Sequence, residues 1–214
     1  MPRSQREMLD AMRGGWDEAA QLFSRDGKPL QERTAVHGFL RALGIEHARH
    51  EIIKQGPEPI DVWFRDARLQ VTEIMYPARP RDREIRQRAE RARSARHIED
   101  LMEPGTITSE PMGPQAVSDL VIQRAAQKAA HYAGQCAGVD LLAYVNMHGH
   151  HLYPVGPFSP APQLDARGWR SVSLVMERFA IVLSATSSAP EFVRDRLGEG
   201  AEWQDIDSVF DWTM

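Results

Sequence analysis

Residues 59–64 read Pro59-Ile60-Asp61-Val62-Trp63-Phe64, and residues 67–76 read Ala67-Arg68-Leu69-Gln70-Val71-Thr72-Glu73-Ile74-Met75-Tyr76. Only Arg65 and Asp66 lie between these two apolar runs. Two strand-like runs separated by two residues form a tight β-hairpin. Side chains alternate faces along a strand. With Asp61 paired near Gln70 or Thr72, one face carries Asp61, Trp63, Gln70, Thr72 and Ile74. The other carries Val62, Phe64, Leu69, Val71 and Glu73. Glu73 then points away from Asp61 unless a bulge intervenes.

On the N-terminal side, residues 1–25 predict a helical arm with a stripe of Met8, Met12, Trp16, Ala19, Ala20 and Phe23. A turn at 26–29 leads to a second helix over about 31–43, ended by Gly44. Residues 45–55 fit helix or strand. On the C-terminal side, Pro77 and Pro80 end the hairpin, and an arginine-rich helix follows over about 82–102. Residues 103–114 read as a loop and 115–135 as a helix. Residues 139–147, VDLLAYVNM, form an apolar run of the kind buried on both sheet faces. A loop rich in proline and histidine precedes one or two further strands within 169–185. The expected architecture is α/β, a mixed central sheet flanked by helices. It is organised as a single domain over 1–214: an N-terminal arm (1–30), a core (31–185) with a basic helical insertion at about 79–102, and a C-terminal tail (186–214).

The 214 residues are 42% hydrophobic and 26% charged, which supports a folded core and excludes disorder throughout. No stretch approaches the ~20 apolar residues of a membrane span. The charged N-terminal residues lack the apolar core of a secretion signal. One cysteine, Cys136, excludes an internal disulfide and fits a reducing cytoplasm. The formal net charge is −4, so no global basicity points to nucleic acid. Three lysines, Lys28, Lys54 and Lys128, stand among many arginines.

The hairpin resembles the restriction-endonuclease-like superfamily, whose signature is PD followed by (D/E)xK on adjacent strands. Here Pro59-Ile60-Asp61 stands for the first part and Gln70-Val71-Thr72 for the second. The stretch is also similar to an uncharacterised bacterial family named as endonucleases of that superfamily. The resemblance spans roughly residues 31–145 as an order of elements. It implies a restriction-endonuclease-like core, with Asp61 and Gln70 as Mg²⁺ or Mn²⁺ ligands helped by the Val71 carbonyl. It also implies a lysine that orients the attacking water. A hard cation on oxygen ligands suits phosphodiester hydrolysis, because it stabilises the extra negative charge of the transition state. The sequence departs from the pattern twice. Gln70 is neutral where a carboxylate is usual, and Thr72 replaces the lysine. Glu73 and Glu51 are reserve carboxylates. Lys128 on the 115–135 helix, with Tyr132 at i+4, is the replacement cation.

Each of these residues also has a plainer reading. Asp61 suits a strand edge, Gln70 and Thr72 a solvent-facing strand, Glu73 a surface charge and Lys128 a snorkelling helix lysine. The segment 79–96 is the strongly basic stretch; Arg86, Arg88, Arg91 and Arg93 are candidates to clamp nucleic-acid phosphates, or else form a solvated helix with Arg–Glu pairs. His148, His150 and His151 have spacing that suits zinc, without a visible third ligand. The leading expectation is a metal-dependent nuclease. The alternatives are an inactive member of the same superfamily that binds nucleic acid or a protein, and an unrelated α/β protein whose hairpin imitates the motif. A homodimer contact through exposed arginines and the tail carrying Trp203 and Trp212 is a further expectation.

Overall fold

The hairpin forms. Strand β1 (Val62–Phe64) pairs antiparallel with β2 (Ala67–Met75), with Val62 opposite Leu69 and Phe64 opposite Ala67. Arg65 adopts a positive φ of 52° in the two-residue turn. The computed structural model describes residues 4–24, 26–53, 57–75, 81–101, 110–147, 150–152 and 168–202. His148, Trp203, Trp212 and most of the proline- and histidine-rich loop lie outside these residues.

The chain divides into two compact units. The first comprises residues 1–31 and 77–108, the second residues 32–76 and 109–214. The expected N-terminal arm and basic insertion therefore fall in one unit. Its helices are α1 (Gln5–Leu22) and α3 (Arg81–Ser94). Helix α1 starts at a capping box, in which Glu7 N donates to Ser4 Oγ at 3.3 Å and Ser4 N to Glu7 Oε2 at 2.7 Å. The α3 stripe of Ile85, Ala89 and Ala92 is buried, as is Ala95 just beyond it. Arg13 of α1 donates to the carbonyls of Ala92 (3.1 Å) and Ala95 (2.6 Å), which satisfies acceptors exposed where α3 ends. The helix stops short of the expected residue 102. The Asp100 carboxylate takes the backbone N–H groups of Arg96 (2.8 Å) and His97 (3.0 Å), opening a separate 3₁₀ turn over Ile98–Leu101.

The second unit is built on a six-stranded sheet. The further strands are β3 (Glu110–Met112), β4 (Asp140–Asn146), β5 (His150–Leu152), β6 (Ser171–Met176), β7 (Phe179–Ala185) and β8 (Gly200–Glu202). The main sheet runs β1-β2-β4-β6-β7-β8. Strands β2, β4 and β6 are parallel neighbours, and the outer pairs are antiparallel. The expected run at 169–185 is two strands joined at Glu177 and Arg178, while β3 and β5 form a separate parallel pair. The ambiguous stretch 45–55 becomes a 3₁₀ turn at Arg49–Glu51. Ile53 then bridges to Trp63 on the outer side of β1.

Helices cover both faces. Helix α4 (Pro114–His131) packs Val117, Val121 and Ala125 with Leu141, Ala143, Val145, Leu174 and Trp169. Helix α2 (Lys28–Ala42) packs Ala35, Val36, Phe39 and Leu40 with Val62, Phe64, Val71, Leu142, Val175 and Val182. Each large apolar side chain buried this way contributes about 1.5–3 kcal/mol. Helix α2 ends at Gly44, whose φ of +69° lets Ile45 N reach back to Leu40 O at 2.9 Å. A short helix, α5 (Glu191–Arg194), follows β7 and contributes Val193 to the α2 side of the core.

Candidate functional site

The register places Asp61 one step beyond the Val62–Leu69 pair, level with Gln70, and Asp61 N donates to Leu69 O at 2.9 Å. The expected convergence on one face therefore occurs. Gln70 Nε2 donates to Asp61 Oδ2 at 2.8 Å and to the Val71 carbonyl at 3.1 Å. Val71 N also donates to Asp61 Oδ2, at 2.9 Å. Gln70 and Thr72 are each only 3% exposed, which excludes the solvent-facing reading. Gln70 Oε1 is buried and has no hydrogen-bond partner among the described residues.

The cation beside this strand is Arg124, a residue the sequence reasoning passed over. Its Nε donates to Thr72 Oγ1 at 3.0 Å, and one terminal nitrogen donates to Gln127 Oε1 at 3.4 Å. A signal was present: Arg124 lies one turn before Lys128 on the same helix face. Lys128 itself sets its Nζ 5.4 Å from the Tyr132 ring centroid, a cation–π contact on its own helix. Glu73 faces the other side of the sheet, where its Oε1 accepts from Asn146 Nδ2 at 3.0 Å. Glu51 accepts from Ala48 N at 2.5 Å and borders a shallow depression of about 350 Å³ with Ile53, Trp63 and Arg65. His150 and His151 lie on β5, across from Glu110 and Pro111 of β3.

In the first unit, α3 spreads its arginines among several partners. The Arg88 guanidinium lies 5.2 Å from the Trp16 ring centroid. Arg91 Nε donates to Asp100 O at 2.7 Å, and Arg93 pairs with Asp17 at 2.7 Å. An open polar depression of about 370 Å³ is lined by Glu84, Gln87, Arg88 and Arg91. In the second unit, His37 and His47 stack edge to face, with His37 Nδ1 2.8 Å from His47 Nε2. Burial, and then the neighbouring His47, Arg41 and Arg49, lower the His37 pKa to about 4.

Comparison with known proteins corrects the leading expectation. A solved structure of a protein of unknown function from Pseudomonas aeruginosa strain PAO1, described as monooxygenase superfamily, is 24% identical to this chain. It covers 94% of this chain and 97% of its own, with a TM-score of 0.65. General α/β architecture stands, but the fold is the one that protein has, not the restriction-endonuclease-like core implied by the PD-(D/E)xK resemblance. The metal-dependent nuclease expectation falls too, together with its inactive restriction-endonuclease-like variant. Among the described residues, no group of three or more His, Cys, Asp or Glu could hold a metal ion. Among them also, no helix is long and apolar enough to cross a membrane. No curated protein matches the chain. A family profile does match it over residues 4–205, and the chain belongs to that family, whose description is "Putative endonuclease, protein of unknown function (DUF1780)".

Proposed function

We propose that the chain is a nucleic-acid-binding protein that contacts phosphates through α3. What supports the reading is the way α3 is packed. Its buried stripe of Ile85, Ala89 and Ala92 leaves Arg83, Arg86, Arg91 and Arg93 exposed around the rest of the helix. The helix carries six arginines against Asp82, Glu84 and Glu90, within a chain of net charge −4. Guanidinium groups bind phosphate oxygens in a planar fork, and this contact carries little sequence information.

Backbone binding of this kind has a defined salt signature. If Arg86, Arg88, Arg91 and Arg93 each neutralise one phosphate, the slope of log K against log salt is about −3.6 on duplex DNA. Affinity then falls about 150-fold between about 50 and 200 mM salt. The test is fluorescence anisotropy with labelled duplex and single strands across that range. The informative variant is Arg83→Ala with Arg86→Ala. It spares the contacts of Arg88 with Trp16, Arg91 with Asp100 and Arg93 with Asp17. The double variant removes the one counted phosphate contact of Arg86 and should weaken binding and flatten the slope by about 0.9. Binding that is insensitive to salt, or unchanged in the double variant, would remove α3 as the contact surface.

A further inference from the structure

We infer that the Gln70 side-chain amide stands where a divalent cation would otherwise sit, so that this chain holds its Asp61 site closed without metal. The polar groups at the site fit together in only one way. Asp61 Oδ2 and the Val71 carbonyl oxygen both lie around a single atom, Gln70 Nε2, at 2.8 and 3.1 Å. A carboxylate and a backbone carbonyl are acceptors only, so the nitrogen of the amide, not its oxygen, must face them. The same Asp61 oxygen takes a further N–H from Val71 at 2.9 Å. Two N–H groups, from Gln70 and Val71, thus converge on this one carboxylate oxygen.

An N–H₂ group that points its hydrogens at these oxygens excludes a cation from the same place. A magnesium ion takes oxygen ligands at about 2.0–2.1 Å and cannot use an amide nitrogen. The next residue on this face is closed as well, because Thr72 Oγ1 accepts from the Arg124 guanidinium at 3.0 Å. A fixed positive group already lies beside the strand and opposes a second cation. The residues present therefore do not fit the magnesium or manganese that the motif implied. Gln70 Oε1 shows the cost of the arrangement: it is buried and has no hydrogen-bond partner among the described residues. The chain tolerates this unmatched oxygen while its Nε2 makes both of its bonds.

The inference is tested by Gln70→Glu. This change puts a second carboxylate oxygen where Nε2 was, against Asp61 Oδ2 and the Val71 carbonyl. Two carboxylates in contact, one buried at position 70 and one half-buried at Asp61, cannot both stay ionised unless a cation joins them. Thermal unfolding is followed near neutral pH with EDTA, Mg²⁺ or Mn²⁺. Wild type should melt at the same temperature in all three. Gln70→Glu should melt lower in EDTA and recover by about 5–10 °C when Mn²⁺ is about 100 times its dissociation constant. Gln70→Met, which loses the amide and adds no ligand, should melt lower and show no metal response. If Gln70→Glu does not fold in EDTA, refolding from urea with and without Mn²⁺ gives the same readout as recovered yield. A metal-dependent rise in wild type that Asp61→Ala abolishes would overturn the inference. So would a Gln70→Glu protein that is indifferent to both metals.

Discussion

Asp140→Ala is the perturbation with the most legible consequence. Asp140 opens β4 and is 1% exposed, and its two oxygens serve four donors. Oδ1 accepts from Arg170 Nε at 3.0 Å and from Ser171 Oγ at 2.7 Å. Oδ2 accepts from the Arg68 backbone N–H at 3.1 Å and from a terminal nitrogen of Arg170. The carboxylate thereby ties β2, β4 and the start of β6 together at one end of the parallel strands. Removing one partner of a buried ion pair costs about 3–5 kcal/mol, because the other charge stays behind. Arg170 keeps the Asp66 carbonyl at 2.9 Å, and its side chain is 11% exposed, so water reaches part of it. The lower end of that range applies, about 3 kcal/mol. For a chain of this size the loss corresponds to about 6–12 °C in Tm. In urea it is a midpoint shift of about 1.5 M for a slope of about 2 kcal/mol/M. Denaturation followed by tryptophan fluorescence measures it, and the slope should not change. A second arm, Asp140→Leu with Arg170→Met, removes both charges and should regain more than half of the loss. A cost for Asp140→Ala below about 1 kcal/mol, the range of an exposed pair, would refute the account. A double variant no better than Asp140→Ala would assign the loss to the stranded Arg68 N–H and Ser171 hydroxyl rather than to charge.

His37 carries a pH dependence with a definite sign. Its folded pKa of about 4 lies below the ordinary 6.5, so the folded state binds fewer protons between those values. The stability from keeping it neutral is present above about pH 6.5 and is lost as pH falls toward about 4. In His37→Asn the fall in urea midpoint over that interval should be shallower than in wild type. Parallel curves would exclude His37 as the titrating group. Arg13→Ala strips the donors from Ala92 O and Ala95 O and should cost about 1.5–3 kcal/mol in the helical unit, read as earlier loss of helical circular dichroism in urea. Arg13→Lys keeps the charge but not the two-pronged geometry and should fall between the two proteins.

Elements whose signal is local were legible. The two-residue gap at Arg65 and Asp66 specified the hairpin and its faces, and the apolar run at 139–147 marked a strand buried between neighbours. Helix α2 carried its apolar spacing and its end signal, Gly44, and α4 its apolar spacing, while Pro114, read with the preceding loop, is the first residue of α4. Elements that depend on distant partners were not legible. Glu110–Met112 contains Pro111 amid other turn residues and reads as loop; it becomes a strand only by pairing with residues 150–152. Proline can occupy such a position because a two-stranded pair leaves an open edge. Ile53 likewise owes its bridge to Trp63, ten residues away. The early end of α3 was set by Asp100, whose carboxylate competes for backbone N–H groups that a longer helix would have used.

The candidate site divides along the same line, and the division explains why the motif misled. Alternation along two strands is enough to put Asp61, Gln70 and Thr72 on one face, and the structure joins Asp61 to Gln70 there. Alternation does not say what will satisfy them. A carboxylate beside a carbonyl can be compensated by an ion, by a guanidinium or by amide hydrogens, and these alternatives share the same residue spacing. The choice was made by two side chains. Gln70 supplies its own N–H₂ to Asp61 and Val71, and Arg124 reaches Thr72 from a helix more than fifty residues later. Gln70 in place of an acid was visible in the sequence, as was Thr72 in place of a lysine. Read as weakened metal ligands they look like a damaged nuclease. Read as hydrogen-bonding groups they make a set in which the amide donates twice and the hydroxyl accepts once, with Gln70 Oε1 left unmatched among the described residues. That set gives each departure from the motif a physical role, which a weakened metal site does not.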